Sequence, residues 1–469
     1  MVAAAIALGA AVQVFTVPKA PADWLDSVQI AEIARPMLDS DVGTWGMNIL
    51  PDRTQCDGPW AFYWLGSAAQ DCAFRVAGPD APRLLSLSFH VAAVALAWTL
   101  AGPLAAFATF AFLPLAQSVR YGRVDAIAIA LLLLALVLAC QRLSVRSPRL
   151  SSALSGACGA CALMSWFSVV LALPLVPWAV GRVREGRWRR LAWSAVGFFS
   201  ALAVLMSPFF GHGRELYHNF AVAYNSFSGE FAPFVGKLMS FLGEVASLYG
   251  ALAAIAAAML AAQAVRAIRR REWWDAMPFV FFAAFAAVCV FKRAYVFRSV
   301  YALPYIVVAV AEFSADGAPR RRGLLWVSWG LCAAMFFLSS CYWPVRTLTA
   351  YNVRDTARLM RELEREVGRD VGIYCDTYQP YYAGRTLGWR QYRTWCGQRK
   401  GMEDVLASDD VRFYLGDGMR PDADKSAMLS GLGFRFEKVI LPGESLTWDD
   451  RRLWRLGPYN LWIKSEANQ

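Results

Sequence analysis

The sequence predicts an all-α polytopic membrane protein of about eleven transmembrane helices, with a small external α/β domain at its C-terminus. Three observations predict it. The 469 residues are 57% hydrophobic and only 18% charged, with a mean hydropathy of +0.36; a soluble globular chain carries about 25% charged residues. Apolar runs of spanning length recur along the first three quarters of the chain, separated by short arginine clusters. The remainder, roughly 115 residues and an ordinary size for a small domain, is polar and alternates helical with strand-like stretches. This balance excludes a disordered chain, a fibrous repeat and a nucleic-acid-binding domain. The net charge of +11 sits mostly in the arginine clusters, as orientation signals do. A membrane-embedded enzyme and a transporter survive.

A spanning helix needs about 20 mostly apolar residues. The runs that qualify are 2–18, 84–101, 103–119, 126–141, 150–165, 167–181, 191–210, 240–264, 276–291, 299–313 and 323–342. The first run lacks a charged leader and a small-x-small cleavage site, so it reads as a retained helix rather than a signal peptide. The clusters Arg142/Arg146/Arg149, Arg182–Arg190, Arg266–Arg271 and Arg320–Arg322 all fall on one face, which the positive-inside rule makes cytoplasmic. The first loop 19–83, the loop 211–239 and the tail are then external. The expected domains are 1–345, in the membrane, and 346–469, outside it.

In the tail, Val353–Val367, Met402–Ala407 and Lys425–Leu432 read as helices, and Val371–Tyr374, Val411–Tyr414, Phe434–Leu441 and Leu461–Lys464 as strands. Six cysteines lie in or beside apolar runs and read as small core residues. Cys56, Cys72, Cys375 and Cys396 fall in external segments, where an oxidising compartment permits the bridges 56–72 and 375–396; four free thiols are the alternative.

Ionisable residues at membrane depth are costly and need a reason. The first external loop opens with Asp23 and Asp26 before an amphipathic stretch, Val28–Leu38, that suits the membrane interface. Asp57 precedes Gly58. Asp125 follows Arg120-Tyr121-Gly122-Arg123-Val124 and opens an apolar run. Asp26, Asp57 and Asp125 thus share the outer face. The loop Lys292–Arg298 is basic there too, against the orientation rule, and leads into Tyr301-x-x-Pro304. His90 sits within an apolar span and reads as a hydrogen-bonded core residue. His212 and His218 lie in the loop after the seventh span, where a divalent metal held with Asp57 is the lesser reading. No cofactor is expected otherwise.

The stretch Asp26-Ser27-x-x-Ile30-Ala31-Glu32-Ile33-Ala34-Arg35-x-Met37-Leu38 resembles the first-loop signature of the bacterial aminoarabinose transferases that act on lipid A. Those stand with the protein O-mannosyltransferases in the GT-C superfamily of polyprenyl-phosphate-sugar glycosyltransferases. Phe62-Tyr63-Trp64-Leu65, Pro82-Arg83-Leu84-Leu85-Ser86, Asp125 and Tyr301-x-x-Pro304 resemble later family motifs in the same order. The likeness runs over about residues 1–310. Ser27 stands where the family has Glu, Asp57 where it has Glu, Gly58 where it has a phosphate-contacting Lys, and Trp60 where it has Pro.

The resemblance implies a GT-C fold in the bacterial inner membrane and an external active site. It also implies transfer of a sugar from a polyprenyl-phosphate donor to lipid A, another envelope glycan or a protein. Such a donor carries its own leaving group, so one base suffices. Asp26 is the candidate base, with Asp125 sharing or assisting that role. Lys292, Arg293 and Arg298 are candidates to hold the departing phosphate, arginine by its bidentate fork, and Asp57 and Tyr301 to bind substrate. A single displacement inverts the anomeric centre. The alternative is a transporter or flippase of a lipid-linked or amphipathic substrate. A transporter tends to carry paired repeats and midplane charges; the sequence shows no internal repeat, and its charges gather on one face.

Overall fold

The computed structural model describes residues 1–19, 64–143, 145, 147–210, 236, 239, 242–243, 245–291, 299–315, 322–349, 355–377, 379–392, 402–419, 423–441 and 457–465. Asp26, Asp57, His212, His218, Lys292, Arg293 and Arg298 lie outside them.

The helical body is built around α5 (Asp125–Ala139), a run of Ala, Ile, Leu and Val that is buried along almost its whole length. Around it stand α1 (Val2–Thr16), α2 (Trp64–Ala77), α3 (Ala81–Ala111), α4 (Leu113–Tyr121), α6 (Pro148–Ser165), α7 (Leu175–Gly181) and α8 (Arg187–Met206). The ring continues with α9 (Leu248–Arg269), α10 (Trp273–Phe291), α11 (Leu303–Ala315), α12 (Arg322–Phe337) and α13 (Trp343–Thr349). By length and composition, six of the described helices could cross a membrane, and Asp125–Ala139 and Val300–Ser314 are shorter apolar helices.

α3 is not one straight rod. Gly102 adopts φ 76°, ψ −164° ahead of Pro103. The His90 ring nitrogen Nε2 lies 3.1 Å from the Thr109 carbonyl, and the His90 ring stacks on Phe110. A straight helix would hold residues 90 and 109 about 28 Å apart. The chain therefore reverses at Gly102, where the expected runs 84–101 and 103–119 meet, and His90 is the core residue it was read to be.

Eleven regular spans are not what the described residues form. The expected span 167–181 is a 3-10 turn, Phe167–Leu171, followed by the seven-residue α7, only about 10 Å long. Pro174 stands at the N-cap of α7 and Pro177 in its first turn, where proline is tolerated, so a helix starts here instead of running through from Phe167. α6 and α8 approach closely instead. A Cβ on Gly156 would lie 1.9 Å from the Ser194 carbonyl oxygen, and one on Gly197 would lie 1.9 Å from that of Ala153. Glycine at such crossings lets membrane helices pack backbone to backbone. Ser151 and Ser155 then donate to the Leu138 and Ala135 carbonyls of α5, at 2.7 and 2.8 Å.

The tail forms a five-stranded sheet of order β2-β1-β3-β5-β4: β1 (Gly372–Cys375), β2 (Arg390–Tyr392), β3 (Phe413–Asp417), β4 (Phe434–Ile440) and β5 (Tyr459–Lys464). β2, β1 and β3 run parallel, and β5 pairs antiparallel with β3 and β4. Alternation along β1 sends Tyr374 to one core, with Tyr414 and Trp462, and Ile373 and Cys375 to the other, with Leu359 and Trp389. Helices α14 (Thr356–Glu366), α15 (Tyr381–Thr386), α16 (Met402–Ala407) and α17 (Ala423–Gly431) accompany the sheet. The four strands and three helices read from the sequence are present; β2 and α15 were not foreseen. The expected boundary at 345/346 falls inside α13. The Cys72 and Cys375 thiols are free, and Cys56 and Cys396, their expected partners, lie outside the described residues.

Candidate active site

α4 ends because Gly122 takes the left-handed conformation, φ 70°, with its N–H bonded back to Ser118 and Val119 carbonyls. Three residues later, at Asp125, α5 begins. This tight turn puts Asp125 in the first turn of α5, fully buried. Its carboxylate accepts three hydrogen bonds: from Ser118 Oγ at 2.7 Å and Arg123 Nε at 2.9 Å on one oxygen, and from Tyr301 Oη at 3.0 Å on the other. A carboxylate has about four acceptor positions, so one is left. The Arg123 guanidinium also lies 5.0 Å over the Trp166 ring.

More arginine surrounds the turn. Arg83 is buried and donates to the Arg120 carbonyl at 2.7 Å and the Val17 carbonyl at 3.5 Å. Arg120, also buried, donates to Thr347 Oγ1 at 2.5 Å and lies 5.6 Å over the Trp343 ring. Ser86 Oγ donates to the Arg123 carbonyl at 3.0 Å, and Gln70 donates to the Gly122 carbonyl. The turn 120–125 is thus gripped from α2, α3, the 3-10 turn Val300–Ala302 and α13 together.

α2 also joins the body to the tail. Asp71, buried, accepts from Arg75 at 2.6 Å and from Arg385 of α15 at 2.5 Å. The Arg385 guanidinium sits 4.3 Å over the Phe74 ring, and Phe74 meets Tyr382 with ring centroids 5.4 Å apart. Gln70 and Asp71, adjacent on α2, therefore link the Asp125 turn to the C-terminal sheet.

Of the residues singled out in the sequence, the structure brings together Asp125 and Tyr301; the others fall in segments 20–63, 211–235 and 292–298, outside the described residues. Those segments leave or return at the same end of the body. α1 ends at Val17–Lys19, held by Arg83. Trp64, which follows segment 20–63, donates to the Leu205 carbonyl at 3.0 Å and packs near Phe209. Phe210 precedes the second segment, and Tyr301 follows the third by three residues. The described arginines of the clusters read as cytoplasmic stand at the other end: Arg182 pairs with Glu312, Arg184 with Glu272, and Arg190 donates to the Ala139 carbonyl at 3.0 Å.

Three residues had no assigned role from the sequence: Arg83, Arg120 and Asp71. Arg83 and Arg120 lie in motifs that drew attention for other reasons. The available signal was the cost of an arginine inside an apolar stretch.

No protein-family profile matches the chain, and no curated protein matches it. Solved structures do. ArnT from Cupriavidus metallidurans in the apo state is 13% identical, with a TM-score of 0.62 over 99% of this chain and 98% of that one. The same protein bound to undecaprenyl phosphate is 13% identical, with a TM-score of 0.59 over 99% and 97%. The Archaeoglobus fulgidus oligosaccharyltransferase solved with Zn and sulfate is 11% identical, with a TM-score of 0.53 over 89% and 67%. At these identities what the chain shares with those structures is the fold.

Proposed function

We propose that the chain is an integral membrane glycosyltransferase that moves a sugar from a polyprenyl-phosphate donor to an acceptor on the external face. The observation that carries the reading is a coincidence. The fold over 99% of the chain is that of ArnT, a protein solved bound to undecaprenyl phosphate. The buried Asp125–Tyr301 cluster sits at the one end of the body where the segments bearing Asp26, Asp57 and Lys292–Arg298 begin or end. The arginine asymmetry supports an external site and a bacterial inner-membrane location.

In this reading the acceptor oxygen attacks the anomeric carbon as the bond to the donor phosphate breaks. Asp26 takes the acceptor proton, a role worth about 10²–10⁴-fold. Polyprenyl phosphate leaves without needing a proton, its charge met by Lys292, Arg293 and Arg298. The configuration inverts. Asp57, in the first loop, is assigned to substrate binding. Asp125 spends three of its acceptor positions on Ser118, Arg123 and Tyr301. We therefore assign Asp125 and Tyr301 to holding the turn and the start of α11 in register, with the last acceptor position available to a substrate hydroxyl. The acceptor is a lipid A-type glycolipid, another envelope glycan or a protein.

The test is donor consumption. Wild type and Asp26→Asn are purified in detergent, offered a panel of radiolabelled polyprenyl-phosphate sugars with a membrane-lipid extract, and followed for free polyprenyl phosphate. Release by wild type and loss in a folded Asp26→Asn establishes transfer and the base together. Equal release by both keeps the transferase and removes Asp26 as base. Substrate flux across liposomes without release would replace the transferase by a transporter.

A further inference from the structure

The end of the body opposite Asp125 holds a cavity that the proposed reaction does not use. It encloses about 250 Å³. Leu136, Trp178 and Val307 line its apolar wall, and Arg142, Arg182 and Glu312 its polar side. Leu136 lies near the C-terminal end of α5, so the cavity is separated from Asp125 by most of that helix, about 17 Å at 1.5 Å per residue.

The charges there do not balance. Arg182 reaches Glu312 with both terminal nitrogens, and Gln263 donates to the same carboxylate at 3.1 Å. Glu312 is thereby satisfied. Arg142 is exposed on the rim, and its guanidinium has no ion-pair partner among the described residues. Two guanidiniums and one carboxylate thus line the polar side of the pocket, and the carboxylate is taken by Arg182, which leaves the Arg142 charge in excess. Trp178, buried in the wall, is held by a hydrogen bond from Trp274 Nε1 to its carbonyl at 2.9 Å.

A bare inorganic anion would use the guanidiniums and waste the apolar wall. A phospholipid uses both. We propose that this cavity binds an anionic phospholipid of the inner leaflet, its phosphate on Arg142 and the root of its acyl chain against Leu136, Trp178 and Val307. Basic pockets between helices on this face suit such headgroups. The inference rests on membrane insertion and not on the transferase reading.

The full chain in detergent is titrated with phosphatidylglycerol, phosphatidylcholine and inorganic phosphate, while thermal unfolding is followed by tryptophan fluorescence and bound lipid is counted by native mass spectrometry. Phosphatidylglycerol should raise Tm and appear as one retained lipid; phosphatidylcholine and phosphate should do neither. Arg142→Gln, an exposed substitution that leaves the packing intact, should raise the half-saturating phosphatidylglycerol concentration about tenfold, as loss of one charge-assisted contact does. Ala311→Phe, which fills the cavity and keeps the charges, should do the same. Arg270→Gln, exposed at the same end outside the cavity, should leave binding unchanged. An equal response in wild type, Arg142→Gln and Ala311→Phe overturns the site, as does no response in wild type. A full response to inorganic phosphate overturns the lipid. Donor consumption is read separately, so either proposal can fail alone.

Discussion

The two ends of the helical body treat arginine in opposite ways. At the Asp125 end, Arg83, Arg120 and Arg123 are 1%, 3% and 3% exposed. Each is engaged by a carbonyl, a hydroxyl or a carboxylate. At the other end Arg190 is buried on the Ala139 carbonyl, but the Arg182 and Arg184 side chains are 42% and 72% exposed, each paired with one glutamate. A charge taken out of water is tolerated only when its hydrogen-bonding groups are met; a charge at the interface keeps its water and costs little. The first arrangement over-determines a turn. The second orients a chain. Abundance of arginine therefore says nothing about a site, whereas burial with partners does.

The comparison breaks or sharpens at single residues. The largest effect is expected from Asp125→Ala, which strands the buried Arg123 guanidinium. It should cost about 3–5 kcal/mol, read as thermal unfolding in detergent, with donor consumption lost alongside. Arg385→Ala comes next, since it removes one of the two arginines that Asp71 accepts from. A loss of about 2–5 kcal/mol at that contact should free the tail, seen as early release of a C-terminal fragment under limited proteolysis. Tyr301→Phe removes one donor to a charged acceptor and should cost about 1.5–3 kcal/mol without disturbing the fold by circular dichroism. Arg182→Gln at the opposite end should cost less than about 1 kcal/mol. If it matched Asp125→Ala, the distinction between the two ends would be lost.

The smallest effect lies in the tail, outside both ends. Glu366 is held below the usual glutamate range, first by its hydrogen bond from Lys438 and then by that from Arg365. Its contribution is therefore complete above the ordinary glutamate pKa and disappears as pH falls through the lowered value. The Tm gap between wild type and Glu366→Gln should narrow on acidification and close below that value; a gap that widened would reverse the sign.

Much of this was legible beforehand, for reasons particular residues show. Gly102-Pro103 marked a break between two apolar runs, and the chain reverses there. Alternation exposed β1, β3, β4 and β5, because period two is written in neighbouring residues. β2 escaped: Arg390-Gln391-Tyr392 is three residues long at the sheet edge and carries no apolar alternation. The stretch 167–181 is not one regular helix, because hydropathy registers apolar side chains and not the new helix start that Pro174 sets.

Composition, hydropathy and the placement of arginine are properties of the chain read in one dimension, and they were enough to predict a body of apolar helices and a polar tail that carries strands. They also flagged Asp125, since a carboxylate opening an apolar run is conspicuous anywhere. Which groups satisfy it was decided by folding. Tyr301 lies 176 residues away, Arg120 meets Thr347 across 227, and Asp71 meets Arg385 across 314. Pairing of this kind depends on distances of a few ångströms that exist only once the helices have packed, and no local pattern encodes them.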